Sequence, residues 1–283
     1  MSRLAITPEA LARYRSERPD LFGPTPRVRA LRWALGAVFL AFTLYAMGRV
    51  GFFEFARIWE GIGKLGFLVE LMMPPAHNGD LFVFLGGIAE TLSMAFLGTL
   101  GAATIALPLG FLAAKNVVAN RALHFLFRRS FDAVRGVDQL IWALIFINVV
   151  GLGPFAGILA IMVGDAGTLG KLFSEAIENA NKGPVEGVRS AGGGRLAEAR
   201  LALLPQIFPV LVSQTLYYFE SNTRSATILG IVGAGGIGLQ LSDRMRVNNW
   251  DEAAFIILMI LVTVAAIDFA SKRLRTALIG AGG

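Results

Sequence analysis

Six apolar stretches separated by polar segments set the pattern of the chain. The first runs from Leu31 to Gly48 beside Arg32 and Arg49, long enough as a helix to cross a hydrocarbon layer about 30 Å thick. The second, Leu85 to Ala114, has Glu90 near its start and Pro108 inside it. As a helix it rises about 45 Å, so it extends past the bilayer or kinks at the proline. The third covers roughly Val137 to Val149, and Gly151-Leu152-Gly153-Pro154 permits a tight turn into the fourth, Phe155 to Gly170. The fifth spans Leu203 to about Val232, and the sixth Ala253 to Phe269, closed by Lys272, Arg273 and Arg275. Between the first two, residues 50–85 mix Phe, Trp, Gly and acids around Pro74-Pro75, which reads as helices lying partly in the interface or as an irregular loop. The pattern predicts an all-α polytopic membrane protein with about six transmembrane helices.

Basic residues orient these spans. Seven Lys or Arg lie in the first 32 residues, five in a charged hinge at 115–135, five at 171–200 and three at the C-terminal end, placing twenty of the 26 in four alternate segments. Lys and Arg favour cytoplasmic connections, so the bias predicts both termini inside. Residues 1–30 then form a cytoplasmic tail with a short amphipathic helix around Glu9 to Arg18, without the layout of a cleavable signal peptide. Residues 31–85 hold the first transmembrane helix and an external connection, 86–274 the core transmembrane domain, and 275–283 a second cytoplasmic tail.

Composition narrows the chemistry. The chain is 55% hydrophobic and 16% charged, against about 25% charged in an ordinary soluble domain. It has no cysteine and only His77 and His124, which removes disulfides and cysteine metal sites and leaves no metal-ligand spacing. The formal charge of +6 is spent on topology, not gathered into a nucleic-acid patch. Gly233, Gly235 and Gly238 satisfy a G-x-G-x-x-G spacing but follow a long apolar segment with no βαβ pattern. Close helix packing or a broken helix at the external surface is the better reading. No P-loop is present, so any ATP chemistry belongs to a partner.

The segment from Lys171 to Arg200 changes character, with Glu175, Glu178, Lys182, Glu186, Arg189, Arg195 and Glu198 in close succession. Pro184 can open one short helix, Gly192-Gly193-Gly194 permits a turn, and Leu196 to Leu204 can form a second, with Pro205 and Pro209 turning into or bending the next span. Such a projection, carrying Val188, Leu196, Leu201 and Leu203 among its charges, suits docking into a partner's groove; a solvated loop is the alternative.

Glu186, Gly192 six residues later and Leu204-Pro205 after twelve more resemble the coupling segment, here 184–204, of binding-protein-dependent ABC importer permeases. Gly187, Val188 and Gly193 depart from the alanines usual there. Val149 to Ile161, Gly170 to Glu178 and Glu220 to Gly238 resemble the phosphonate importer permease, and the resemblance runs from about Gly86 through Leu274. It implies the type I (MetI-like) permease fold and a second permease subunit, the same chain or a homologous one. It also implies a cytoplasmic ABC ATPase dimer that uses ATP and magnesium, and a periplasmic binding protein delivering phosphonate, phosphate or phosphite across a bacterial inner membrane. Glu186, Arg189, Gly192, Arg195, Leu204 and Pro205 would then couple ATPase motion to the spans.

Polar residues at membrane depth mark solute paths or helix contacts. Glu90 and Thr91 on the second span and Glu220, Asn222, Arg224 and Ser225 on the fifth are candidates for the substrate pathway, with Asp138-Gln139 as pore or interhelix residues and Asp268 as a terminal interface residue. Arg224 lies about 27 Å beyond Gln206 along a helix, which places it toward the external half, where it meets an anion or pairs with Glu220. The rival readings are a permease for another small solute such as methionine, a lipid-modifying enzyme using Glu90, Asp138 and Asp165, and a membrane scaffold.

Overall fold

The structure, a computed structural model, describes residues 12–13, 26–118 and 120–280. The helix expected around Glu9 to Arg18 lies outside these residues except at Ala12 and Arg13, which are helical. The chain divides into two compact units, residues 1–67 and 68–283. The first contains α1 (Pro26–Arg49) and most of α2 (Phe55–Leu71). Apolar residues dominate α1, and the Thr43 hydroxyl donates back to the Phe39 carbonyl at 2.8 Å, so this polar group needs no water. Helix α2 carries an exposed Glu60–Lys64 pair at 2.7 Å one turn apart, and the connection between the first two spans is largely helical.

The second unit contains α3 (Leu81–Ala113), α4 (Arg121–Arg135), α5 (Gln139–Val150), α6 (Pro154–Glu178), α7 (Lys182–Ser190), α8 (Arg195–Ala234), α9 (Gly236–Arg246) and α10 (Trp250–Gly280). Among the described residues, α1, α3, α6, α8 and α10 are long and apolar enough to cross a membrane. The pair α4–α5 makes a sixth crossing only if its two helices, bent by 84°, are taken as one broken span. At 12 residues, α5 rises only about 18 Å and cannot cross alone. The expected charged hinge at 115–135 is therefore largely helix. Asn120 caps α4 through the Ala122 and Leu123 amides, and Asp138 caps α5 through the Leu140 amide at 2.8 Å. Gly136 closes α4 and Asp138 opens α5 two residues later, so one helix ends and another starts at this bend.

Small residues let α3 and α6 approach. Ala95, Gly98, Ala102, Ala106 and Gly110 on α3 are buried, as are Ala156, Gly157 and Ala160 on α6. A methyl on Gly98 would sit 2.7 Å from Ile161, and one on Gly157 the same distance from the Met94 sulfur. Close backbone approach of this kind replaces the hydrophobic drive that lipid cannot supply. Larger side chains fill the remaining space: Leu169, Phe173, Ile177, Leu203 and Ile207 form one core cluster, and Phe84, Ile237, Leu241 and Ile256 another.

Two spans outrun their expected limits. Helix α6 continues past Gly170 to Glu178 because its charges are held from outside: Arg128 of α4 donates to Glu175 and Glu178, both at 3.0 Å, and Lys171 pairs with Asp132 at 2.7 Å. Helix α8 begins at Arg195, not Leu203, and runs for 40 residues. Neither Pro205 nor Pro209 ends it; a widened π-helical turn at Glu198–Leu203 lies directly before Pro205, where a missing amide donor disturbs the ordinary ladder.

Candidate coupling projection and polar interior

The projection is built from caps and one turn. The Asn181 side chain accepts from the Gly183 amide at 3.0 Å to start α7, and Gln206 accepts from the Asn181 amide at 3.1 Å, fastening α7 to α8. Gly192 takes φ +84°, a left-handed conformation that glycine adopts without penalty. The next amide, of Gly193, returns to the Val188 carbonyl at 2.9 Å, which closes the helix end. Beyond the turn the chain enters α8 directly, so the second short helix of the sequence reading is the first part of the long span. Arg189 crosses the turn to Glu198 with two hydrogen bonds of 2.8 and 3.1 Å. Hydrogen bonding to that carboxylate, and then its charge, raise the guanidinium's hold on its proton.

Glu186, Arg189 and Arg195 line one groove of about 560 Å³ with Lys115, Lys182 and Glu198. Leu196, next in sequence to the groove-lining Arg195, is 83% exposed, an apolar side chain offered from a charged surface. Leu204 and Pro205 stand apart from this groove, where α8 resumes regular α-helix.

Within the spans, polar side chains chiefly hold helices together. Asn222, 2% exposed, donates to Asp165 on α6 at 2.5 Å and to Thr99 on α3 at 2.8 Å. Gln139 of α5 donates to Asp165 at 2.9 Å and to the Asn222 carbonyl oxygen at 3.3 Å. Four helices thus meet at one buried polar cluster, and Asn222 faces the interior of the chain.

Glu90 and Thr91 act together on the Gly-rich break. Gly233, Gly235 and Gly236 all have positive φ, so α8 stops and α9 starts without a side-chain cap of its own. The Glu90 carboxylate accepts from the Gly236 amide at 3.0 Å, and the Thr91 hydroxyl accepts from the Ile237 amide at 2.9 Å. The open N-terminus of α9 is therefore satisfied from α3, with the carboxylate placed where the helix dipole favours negative charge. Asp138, Asp165 and Glu90, the carboxylates of the enzyme reading, sit on three different tasks: capping α5, joining Asn222, and holding α9.

Glu220 has two partners. Arg224 lies at 3.5 Å, one turn along α8, and Arg275 of α10 lies closer, at 3.1 Å. The sequence paired only the first, because nothing local reveals that residue 275 returns to residue 220. Arg275 reaches back along α10 to Glu220 and to the Tyr217 ring, while Thr223 and Thr227, beside Arg224, border one cavity with Ile260 and Thr263 in the middle of α10. Ser225 is half-buried and Arg224 exposed on the same helix.

A further cluster escaped the sequence altogether. Arg244 of α9 joins Asp80, at 2.5 Å, to Glu252 of α10, and Asn78 donates to Asp251 and Glu252, both at 3.0 Å. Asp80 and Arg244 are 164 residues apart, beyond any local signal.

Comparison with known proteins agrees with this architecture. Residues 106–279 match the family described as binding-protein-dependent transport system inner membrane component. The chain is 40% identical over 222 residues, 78% of each chain, to a putative phosphite transport system permease protein, HtxC, of Stutzerimonas stutzeri. It is 37% identical over 248 residues to the phosphate-import permease protein PhnE of Mycolicibacterium smegmatis, covering 87% of this chain and 45% of that one. The inward-facing MetNI methionine ABC transporter shares the fold, with a TM-score of 0.64 at 23% identity, over 72% of this chain and 99% of the matched chain. With its small-residue helix packing, its broken α8–α9 segment and its charged projection between α6 and α8, the chain belongs to the family of binding-protein-dependent transport system inner membrane components.

Proposed function

We propose that this chain is the transmembrane permease subunit of an ATP-driven importer that carries phosphonate, phosphate or phosphite across the bacterial inner membrane. In this reading two permease subunits, identical or homologous, form the passage. A cytoplasmic ABC ATPase dimer supplies ATP hydrolysis with magnesium, and a periplasmic binding protein delivers the anion. Both termini lie in the cytoplasm and lipid surrounds the spans.

The observation that carries the reading is the projection. Helix α7 is tied to α8 by Arg189–Glu198 and Gln206–Asn181, and α8 continues from Arg195 through its π-helical turn to Leu229, where the Gly-rich break begins, a rise of about 50 Å. Force applied at Glu186, Arg189 or Arg195 by an ATPase would reach Glu220, Arg224 and the Gly-rich break through one helix, with Gly192 setting the turn and Leu204 and Pro205 at its root. The phosphorus-oxyanion assignment is supported by the names of the relatives. On the pathway we place Arg224 and Ser225, with Glu220 adjusting the arginine. Glu90, Thr91 and Asn222 serve the passage by fixing the helices that border it.

Vesicles containing the permease with its cognate ATPase, and supplied with the binding protein, test this directly. Accumulation of at least one of phosphonate, phosphite and phosphate, dependent on ATP, is the expected result. Accumulation of methionine and none of the three would overturn the substrate assignment.

A further inference from the structure

Arg224 is too costly to leave against hydrocarbon. It lies on α8 between the buried pair Asn222–Thr223 and the apolar Ile228, yet its side chain is 51% exposed. A guanidinium at this depth requires water or another polypeptide in front of it. Tyr217 and Arg224 are exposed and Ser221 and Ser225 half-buried on neighbouring turns, so hydroxyls accompany the cation. This donor set matches a tetrahedral oxyanion, which accepts hydrogen bonds at every oxygen.

The neighbouring Glu220 competes for the same cation. Its side chain is only 9% exposed, and both guanidinia reach it, Arg275 at 3.1 Å on one oxygen and Arg224 at 3.5 Å on the other. Arg275 is itself 24% exposed and lies over the Tyr217 ring at 5.9 Å. One carboxylate against two permanent cations leaves a single positive charge on the group. Arg275 holds the shorter bond in the more buried position, so the surplus charge is presented at Arg224.

Resting on the importer reading above, we propose that Arg275 is a positioning residue for anion passage: by sharing Glu220 it leaves a surplus positive charge at the Arg224 guanidinium to meet a phosphorus oxyanion. Without Arg275, the carboxylate would close onto Arg224 and cancel the charge that the anion meets. Removing the carboxylate as well would release Arg224 again. A purely structural role for Arg275 predicts no such recovery.

The test uses the complete complex in vesicles, with radiolabelled phosphate, phosphite and methylphosphonate as probes and rates normalised to correctly inserted permease. Arg224→Gln and Arg275→Gln are each expected to lower the maximal uptake rate by about tenfold. Arg275→Lys, which keeps the charge, should retain most of the rate. The double variant Glu220→Gln with Arg275→Gln should recover to within about threefold of the unaltered protein. Wild-type uptake of a phosphorus anion combined with an unimpaired Arg275→Gln variant, or with a double variant as slow as the single one, overturns this inference and leaves the importer reading standing. ATP hydrolysis without uptake of any of the three anions by the unaltered complex overturns both.

Discussion

Arg189 and Glu198 face each other across the Gly192 turn, joined by two hydrogen bonds of 2.8 and 3.1 Å. The pair makes one body of α7 and the first turn of α8. Arg189→Ala should leave membrane insertion intact and lower the uptake obtained per ATP hydrolysed by about tenfold, the scale of a typical coupling between sites. Exchanging the two charges, Arg189→Glu with Glu198→Arg, should restore part of that yield. Parallel measurement of ATP hydrolysis and anion uptake in vesicles checks both outcomes.

The polar cluster around Asn222 makes a different demand. Asn222→Ala leaves Asp165 and Thr99 without their shared donor in a site closed to water. We expect a loss of about 1–3 kcal/mol in stability. A lowered melting temperature of the purified protein in detergent is the readout, with little change in the projection's ability to bind an ATPase.

Glycines at the α8–α9 break and in α7 should respond in opposite ways. A methyl on Gly238 would collide with the Thr227 carbonyl, whereas one on Gly187 meets nothing within 4 Å. Gly238→Ala should therefore cost about 1–3 kcal/mol or more. Gly187→Ala, inside a helix, should stabilise by about 0.5–1 kcal/mol. Melting temperatures of the two variants, compared side by side, decide the matter.

Arg244 anchors α9 to the starts of α3 and α10. Its loss leaves the buried Glu252 with Asn78 alone and takes the cation from Asp80. Arg244→Ala should destabilise the protein by about 1.5–3 kcal/mol, and faster proteolysis near residues 236–250 in limited digestion would report the loosening of α9.

Much of this architecture is legible along the chain because lipid demands it. A run such as Ala253 to Phe269 has no soluble alternative, and the Glu186, Gly192 and Leu204-Pro205 spacing marks the projection. What stayed hidden depends on distant partners. Glu175 and Glu178 read as loop residues because Arg128, which lets them remain helical, lies nearly 50 positions away. Glu90 and Thr91 stood out as polar residues at membrane depth, but their task is written in the Gly236 and Ile237 amides, 146 residues on. Glu220 was paired with Arg224 by spacing along one helix, and only the folded chain adds Arg275, 55 residues on.

Coupled import requires the projection to meet a cytoplasmic ATPase. With no native cysteine in the sequence, Leu196→Cys gives one reactive thiol on the exposed surface of the projection. In the assembled complex this thiol should cross-link to a single cysteine introduced in the ATPase and stop ATP-driven uptake until reductant is added, while resisting impermeant thiol reagents applied from outside the cell. Labelling of that cysteine from the external side, with no cross-link to the ATPase in an active complex, would contradict the account.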